Sequence, residues 1–112
     1  MDCIFCKIAR SEIPAELLFE NENIMAFRDI NPLAPVHILI IPKKHIQGID
    51  QLETYDLPLL AEMFAVAQKL ARQNQIHETG YRVFVNSGPD ADQQVPHLHV
   101  HLVGGALLAK PC

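Results

Sequence analysis

Near the C-terminus of this chain three histidines alternate with aliphatic residues: His97-Leu98-His99-Val100-His101-Leu102. In an extended backbone, alternate side chains point to opposite faces. The imidazoles of His97, His99 and His101 therefore share one face, about 7 Å apart, and Leu98, Val100 and Leu102 share the other. One such histidine is ordinarily a solvated polar residue. Three in register, with His37 and His45 elsewhere in the chain, argue for chemistry. Two kinds fit. His-x-His on a strand can hold a catalytic zinc, with His37 joining His97 and His99 in an open three-nitrogen site. Alternatively the middle ring is a nucleophile, because a neutral imidazole is available near pH 7 and its phosphoryl adduct is labile. The spacing alone leaves both open.

A second group lies at the other end. Cys3-Ile4-Phe5-Cys6 places two thiols close enough for one tetrahedral zinc but supplies only half of its ligands. A redox role is less natural, because the pair does not sit in a βαβ setting. Three cysteines and no export signal read as thiols or metal ligands, and Cys112 reads as an exposed thiol at the chain end.

These residues need positioning elements. Cys3 to Arg10 has Ile4, Phe5 and Ile8 at helical spacing and is stopped by Pro14, which predicts a short helix. Leu17 to Glu20 and Ile24 to Arg28 flank Asn21-Glu22-Asn23, the pattern of a β-hairpin. Val36 to Ile41, between a two-proline loop and Pro42, predicts a central strand, and Ile46 to Leu52 a turn of helix. A longer helix starts at Thr54 or Asp56 and ends near Gly80. Its stripe of Leu60, Met63, Phe64, Ala67, Leu70 and Ala71 reads as core. Tyr81 to Asn86 and Leu98 to Val103 are the last strands, separated by a polar loop from Ser87 to Val95. Antiparallel hairpins with helices packed on one face predict an α+β fold.

At 112 residues one domain, 1–112, is the default. A net charge of -4 with no Lys/Arg run argues against a duplex nucleic-acid partner and leaves a small phosphate ester open. The N-terminus lacks a basic stretch followed by an apolar core, and no apolar run approaches the roughly 20 residues of a membrane span. The expectation is a cytoplasmic protein with no membrane partner.

The run His97 to Val103 resembles the signature of the histidine-triad family, His-φ-His-φ-His-φ-φ with φ hydrophobic. Phe27-Arg28-Asp29-Ile30-Asn31-Pro32, Ala34-Pro35-Val36-His37, Ile41-Pro42-Lys43-Lys44-His45 and Gly104-Gly105 are similar to its nucleotide-binding, Hint-like branch. The likeness runs from Cys3 to Gly105. It implies a five-stranded antiparallel sheet with one long and one short helix, joined in a homodimer into a ten-stranded sheet. It implies a purine nucleotide of AMP or GMP type beside the triad, and hydrolysis of nucleoside 5′-phosphoramidates, with acyl-adenylates a further class, through a nucleotidyl-histidine.

By the same resemblance His99 attacks phosphorus, His101 contacts the phosphoryl oxygens, His97 flanks the nucleophile and His37 supports the row. Asp29 receives the ribose hydroxyls, whose vicinal pair suits two acceptor oxygens. Phe5, Ile8, Phe27, Ile30 and Leu39 form an apolar base pocket, and Asn86, Gln93 and Gln94 contact phosphate or ribose. Cys3 and Cys6 would share a structural zinc with His45 and His97, with no organic cofactor. Two features depart from the family pattern. Asp92 brings a carboxylate to the phosphate loop, so it is expected to point to solvent, and Ala106 to Cys112 is a short tail without Trp. The rival activities are a dinucleoside polyphosphate hydrolase of the fragile-histidine-triad type, the zinc hydrolase above, and a non-catalytic nucleotide-binding protein.

Overall fold

A computed structural model describes residues 3–109, so the tail beyond Ala109, Cys112 included, lies outside the described residues. The elements are α1 (Ile4–Ala9), β1 (Leu17–Glu20), β2 (Ile24–Arg28), β3 (Val36–Pro42), α2 (Leu57–Gln73), β4 (Tyr81–Phe84) and β5 (Val100–Gly104), with 3-10 turns at Ile49–Gln51, Thr54–Asp56 and Pro89–Ala91. The strands form one antiparallel sheet in the order β1-β2-β3-β5-β4.

The expectation that both helices share one face does not hold. β2 and β3 are buried at nearly every position. Ile24, Ala26, Ile38 and Ile40 pack with Met63, Val66, Ala67 and Leu70 of α2. Their alternates Met25, Phe27, Leu39 and Ile41 pack with Cys3, Phe5, Cys6 and Ile8 around α1. A strand apolar at consecutive positions has both faces covered, and the unbroken run of β3 carries that signal. Leu98, Val100 and Leu102 join the α2 side, as their alternation predicts.

Three boundaries also differ. α2 ends at Gln73, seven residues before Gly80. Asn74 caps it, Ile76 N–H returns to Ala71 O at 3.0 Å, and Gln75 takes a left-handed φ of 61°. Phe64 is 47 % exposed and Val66 is buried in its place, because the covered stripe centres on Met63, Ala67 and Leu70. β4 stops at Phe84, and β5 begins at Val100, so His97 and His99 precede the last strand instead of lying within it. Gly104 closes β5 where a Cβ would sit 3.0 Å from Ile76 Cδ1 and 3.2 Å from Tyr81 Cβ, which accounts for a residue without a side chain there.

Candidate active site

On the α1 side of the sheet lies a cavity of about 720 Å³, bounded by α1, the ends of β2 and β3, the loop after β2 and the approach to β5. Phe5 and Ile8 reach it because α1 buries one side. Cys3 caps that helix, its sulfur accepting the Cys6 N–H at 3.2 Å. With Phe27 and Leu39 they form an apolar wall, and Phe5 meets Phe27 edge to face at a centroid distance of 5.4 Å. Ile30 borders the same cavity but is 89 % exposed, so it stands at the mouth.

The three histidines share a face yet have different surroundings. His97 lies beneath α1, wholly buried and outside the cavity lining. Its Nε2–H donates to Pro42 O at 2.8 Å, and a carbonyl can only accept, so Nδ1 holds a lone pair. That Nδ1 is 3.2 Å from Cys3 Sγ, 3.5 Å from Cys6 Sγ and 3.2 Å from His45 Nδ1. The remaining separations among the four atoms are 3.2 Å for the two sulfurs, and 3.7 and 3.1 Å from His45 Nδ1 to Cys3 and Cys6. A tetrahedral zinc with S₂N₂ ligands needs edges of about 3.3–3.8 Å; two of the six separations fall in that range and four are slightly shorter, so the donor set fits a metal, with the four atoms drawn a little closer than its bonds would hold them. The open site of His37, His97 and His99 does not form, because both ring nitrogens of His97 are engaged elsewhere.

His99 is turned into the cavity against Phe5, ring centroids 5.1 Å apart. Its Nδ1–H donates to His97 O at 2.6 Å, leaving the Nε2 lone pair unbonded in the cavity wall. His101 follows within β5, in register with Leu39 and Phe84, and Phe84 stacks on its ring at 4.4 Å and 7°. His37 Nε2 is 2.9 Å from His101 Nδ1. Burial lowers the pKa of His37 and His99, and drives His97 and His101 down to about 4. The rings are therefore neutral near pH 7.

Asp29 follows the end of β2 at the cavity, its Oδ1 accepting the Asn31 N–H at 2.8 Å and its Oδ2 lying 3.5 Å from His37 Nε2. Asn86 and Gln94 also line the cavity. Gln93 does not: its amide donates to Gln47 O and Val95 O and accepts from Gly88 N–H, so it ties the loop together and leaves nothing for a ligand. Asp92 is solvent-exposed as expected but also borders the cavity, with Gln94 Nε2–H donating to its carboxylate at 3.3 Å. Phe84, Pro42 O and the Leu33 amide are contributors that the sequence reading missed. Only the strand register, which sets Phe84 opposite His101, could have pointed to the first.

The family pattern described as the HIT domain matches residues 10–107. The chain belongs to the HIT-domain family. It is 46% identical over 110 residues to a maize protein named 14 kDa zinc-binding protein, covering 96% of this chain and 85% of that one. Among solved structures, a HIT family hydrolase from Legionella pneumophila superposes with a TM-score of 0.95 at 49% identity, covering 98% of both chains. A histidine triad nucleotide-binding protein from Candida albicans superposes at 0.84 with 34% identity, covering 99% of this chain and 84% of that one. No helix among the described residues is long and apolar enough to cross a membrane.

Proposed function

We propose that this HIT-domain protein hydrolyses purine nucleoside 5′-phosphoramidates, with His99 Nε2 as nucleophile and a nucleotidyl-histidine as intermediate. The observation that carries this reading is the His99 tautomer. A carbonyl acceptor on Nδ1 holds the proton there and keeps the Nε2 lone pair in the cavity, neutral and unprotonated near pH 7. The Phe5, Ile8, Phe27 and Leu39 wall receives a base, and Asp29 accepts from ribose hydroxyls. His99 attacks the α-phosphorus, the P–N bond breaks and the amine leaves with a proton. Water then cleaves the P–N bond to His99 and returns the free ring. The hydrolase and nucleotide-binding names of the Legionella and Candida neighbours agree with this assignment.

Cys3, Cys6, His45 and His97 would hold a structural zinc, as the name of the maize relative suggests. Closed by four protein ligands, it would tie α1 to the sheet, with no coordination position for substrate. The proposed molecule is a cytoplasmic homodimer in which β4, which among the described residues has β5 as its sole neighbour, pairs with the β4 of a second copy.

The test is release of a fluorescent amine from an adenosine 5′-phosphoramidate, with acid-quenched mass spectrometry for a nucleotidyl adduct. Turnover should fall by at least about 1,000-fold in His99→Ala, with the fold retained. Nucleotide binding without turnover by the wild type would instead mean a non-catalytic binding protein.

A further inference from the structure

Two groups of side chains bring ligand-type atoms within 4.8 Å of one another: Cys3, Cys6, His45 and His97, and Asp29, His37 and His101. Backbone groups of opposite kind face the histidines of the two clusters. In the first, the carbonyl on His97 Nε2 leaves Nδ1 free to bind a metal. In the second, the group facing the far nitrogen is an amide: Leu33 N–H lies 3.0 Å from His37 Nδ1. An amide nitrogen can only donate, so His37 Nδ1 is the lone pair and a neutral ring carries its proton on Nε2. That Nε2–H is 2.9 Å from His101 Nδ1, whose lone pair it occupies. The His101 proton is therefore on its own Nε2. Among the described residues that is the buried side-chain polar atom with no hydrogen-bond partner, and His101 lines the cavity.

We propose that the backbone N–H of Leu33 is a positioning group for this site: it fixes the tautomers of His37 and His101 in series, making His101 Nε2–H a permanent donor to a ligand oxygen and closing the Asp29–His37–His101 cluster to divalent metal. A metal in that cluster needs lone pairs on His37 Nε2 and His101 Nδ1 together. Moving the His37 proton to Nδ1 would set it against the Leu33 N–H, two donors face to face. Asp29 does not take the His37 proton, because its Oδ2 is 3.5 Å away against 2.9 Å for His101. It acts on the loop instead: Asp29 Oδ1 accepts the Asn31 N–H, and Asp29 N–H donates to His37 O at 3.0 Å. The loop that presents Leu33 is thus tied at both ends of the turn to the residues it orients. The tautomers hold whatever occupies the cavity. That the ligand oxygen is a phosphoryl oxygen rests on the function proposed above.

The test is long-range ¹H–¹⁵N correlation NMR of histidine-labelled, zinc-saturated protein without nucleotide at pH 7.5. Both His37 and His101 should be Nε2–H tautomers, and added Co(II) should leave their signals unchanged. Leu33→Pro removes the N–H from an exposed loop position, whereas Leu33→Ala keeps it. The proline variant should show mixed tautomers, Co(II) broadening of both rings, and a kcat lowered by up to about 100-fold with a smaller change in KM. The alanine variant should keep the wild-type tautomers and show no Co(II) broadening of either ring. An Nδ1–H tautomer at His37, Co(II) uptake by the wild-type cluster, or unchanged tautomers in a folded Leu33→Pro protein would each overturn the proposal. If that variant does not fold, the wild-type spectrum alone decides. Correct tautomers with no phosphoramidase turnover would sink the proposed activity and leave this inference standing.

Discussion

His97 and His99 are two residues apart, both buried, and equipped for different chemistry by which nitrogen meets a carbonyl. Pro42 O takes the His97 Nε2 proton, and His97 O takes the His99 Nδ1 proton. The first ring offers Nδ1 to sulfur-rich surroundings, and the second offers Nε2 to the cavity. Asp29 shows the same economy of placement, one oxygen folding its loop and the other left toward the site. Asp29→Asn should weaken nucleotide binding by about 10-fold, from loss of charged acceptors to the ribose. The check is calorimetric titration with AMP and with its 2′,3′-dideoxy analogue: if the Asp29→Asn penalty were equally large for the dideoxy nucleotide, Asp29 would not be reading the ribose.

At the scale of elements, α1 has only six residues, too short to be stable by itself, and with its N-cap Cys3 and its own Cys6 it brings two cysteines to the metal-type cluster. Its attachment rests on the packing of Phe5 and Ile8 and, in the proposed zinc site, on a metal joining Cys3 and Cys6 to His45 and His97. Chelation, or Cys6→Ser, should therefore lower Tm by roughly 10 °C or more, and the loss should be restored by zinc in the wild type alone. Purified protein with far less than one zinc per chain and full stability would rule the assignment out. The end of α2 gives a separate prediction. Gln75 occupies a left-handed conformation that costs a residue with a Cβ. Gln75→Gly should stabilise the protein by up to about 1 kcal/mol in urea unfolding, and a clear loss would mean that the side chain contributes more than the backbone strain costs.

For the whole molecule, the sheet divides the work: α2 and its aliphatic core cover one face, and the cavity and cysteine cluster occupy the other. Burying several imidazoles on the second face makes stability depend on pH. Burial holds His101 near 4 and also lowers His37, whereas in the unfolded chain both would titrate near 6.5. Between pH 6.5 and about 4 the unfolded chain therefore binds more protons, and stability falls as pH falls through that window and levels off above it. Thermal unfolding at pH 7.5, 6 and 5 should show Tm dropping stepwise, and a Tm flat across those values would contradict the sign. The proposed dimer should elute with the light-scattering mass of two chains, while a concentration-independent single-chain mass would exclude it.

The sequence by itself determined the elements and the chemistry on offer. Alternation at 97–102, the apolar run of β3 and the family-like order of motifs are local patterns, and a period of two or of 3.6 residues is written in neighbouring side chains. Tertiary structure decided what each residue does. Which face carries α1, that His97 stands outside the cavity lining, and that Gln93 serves its own loop all depend on atoms distant in sequence. The protons were decided last, because an imidazole has two equivalent-looking nitrogens until a carbonyl or an amide is placed against one of them. Pro42 O and Leu33 N–H are backbone groups that no residue type reveals.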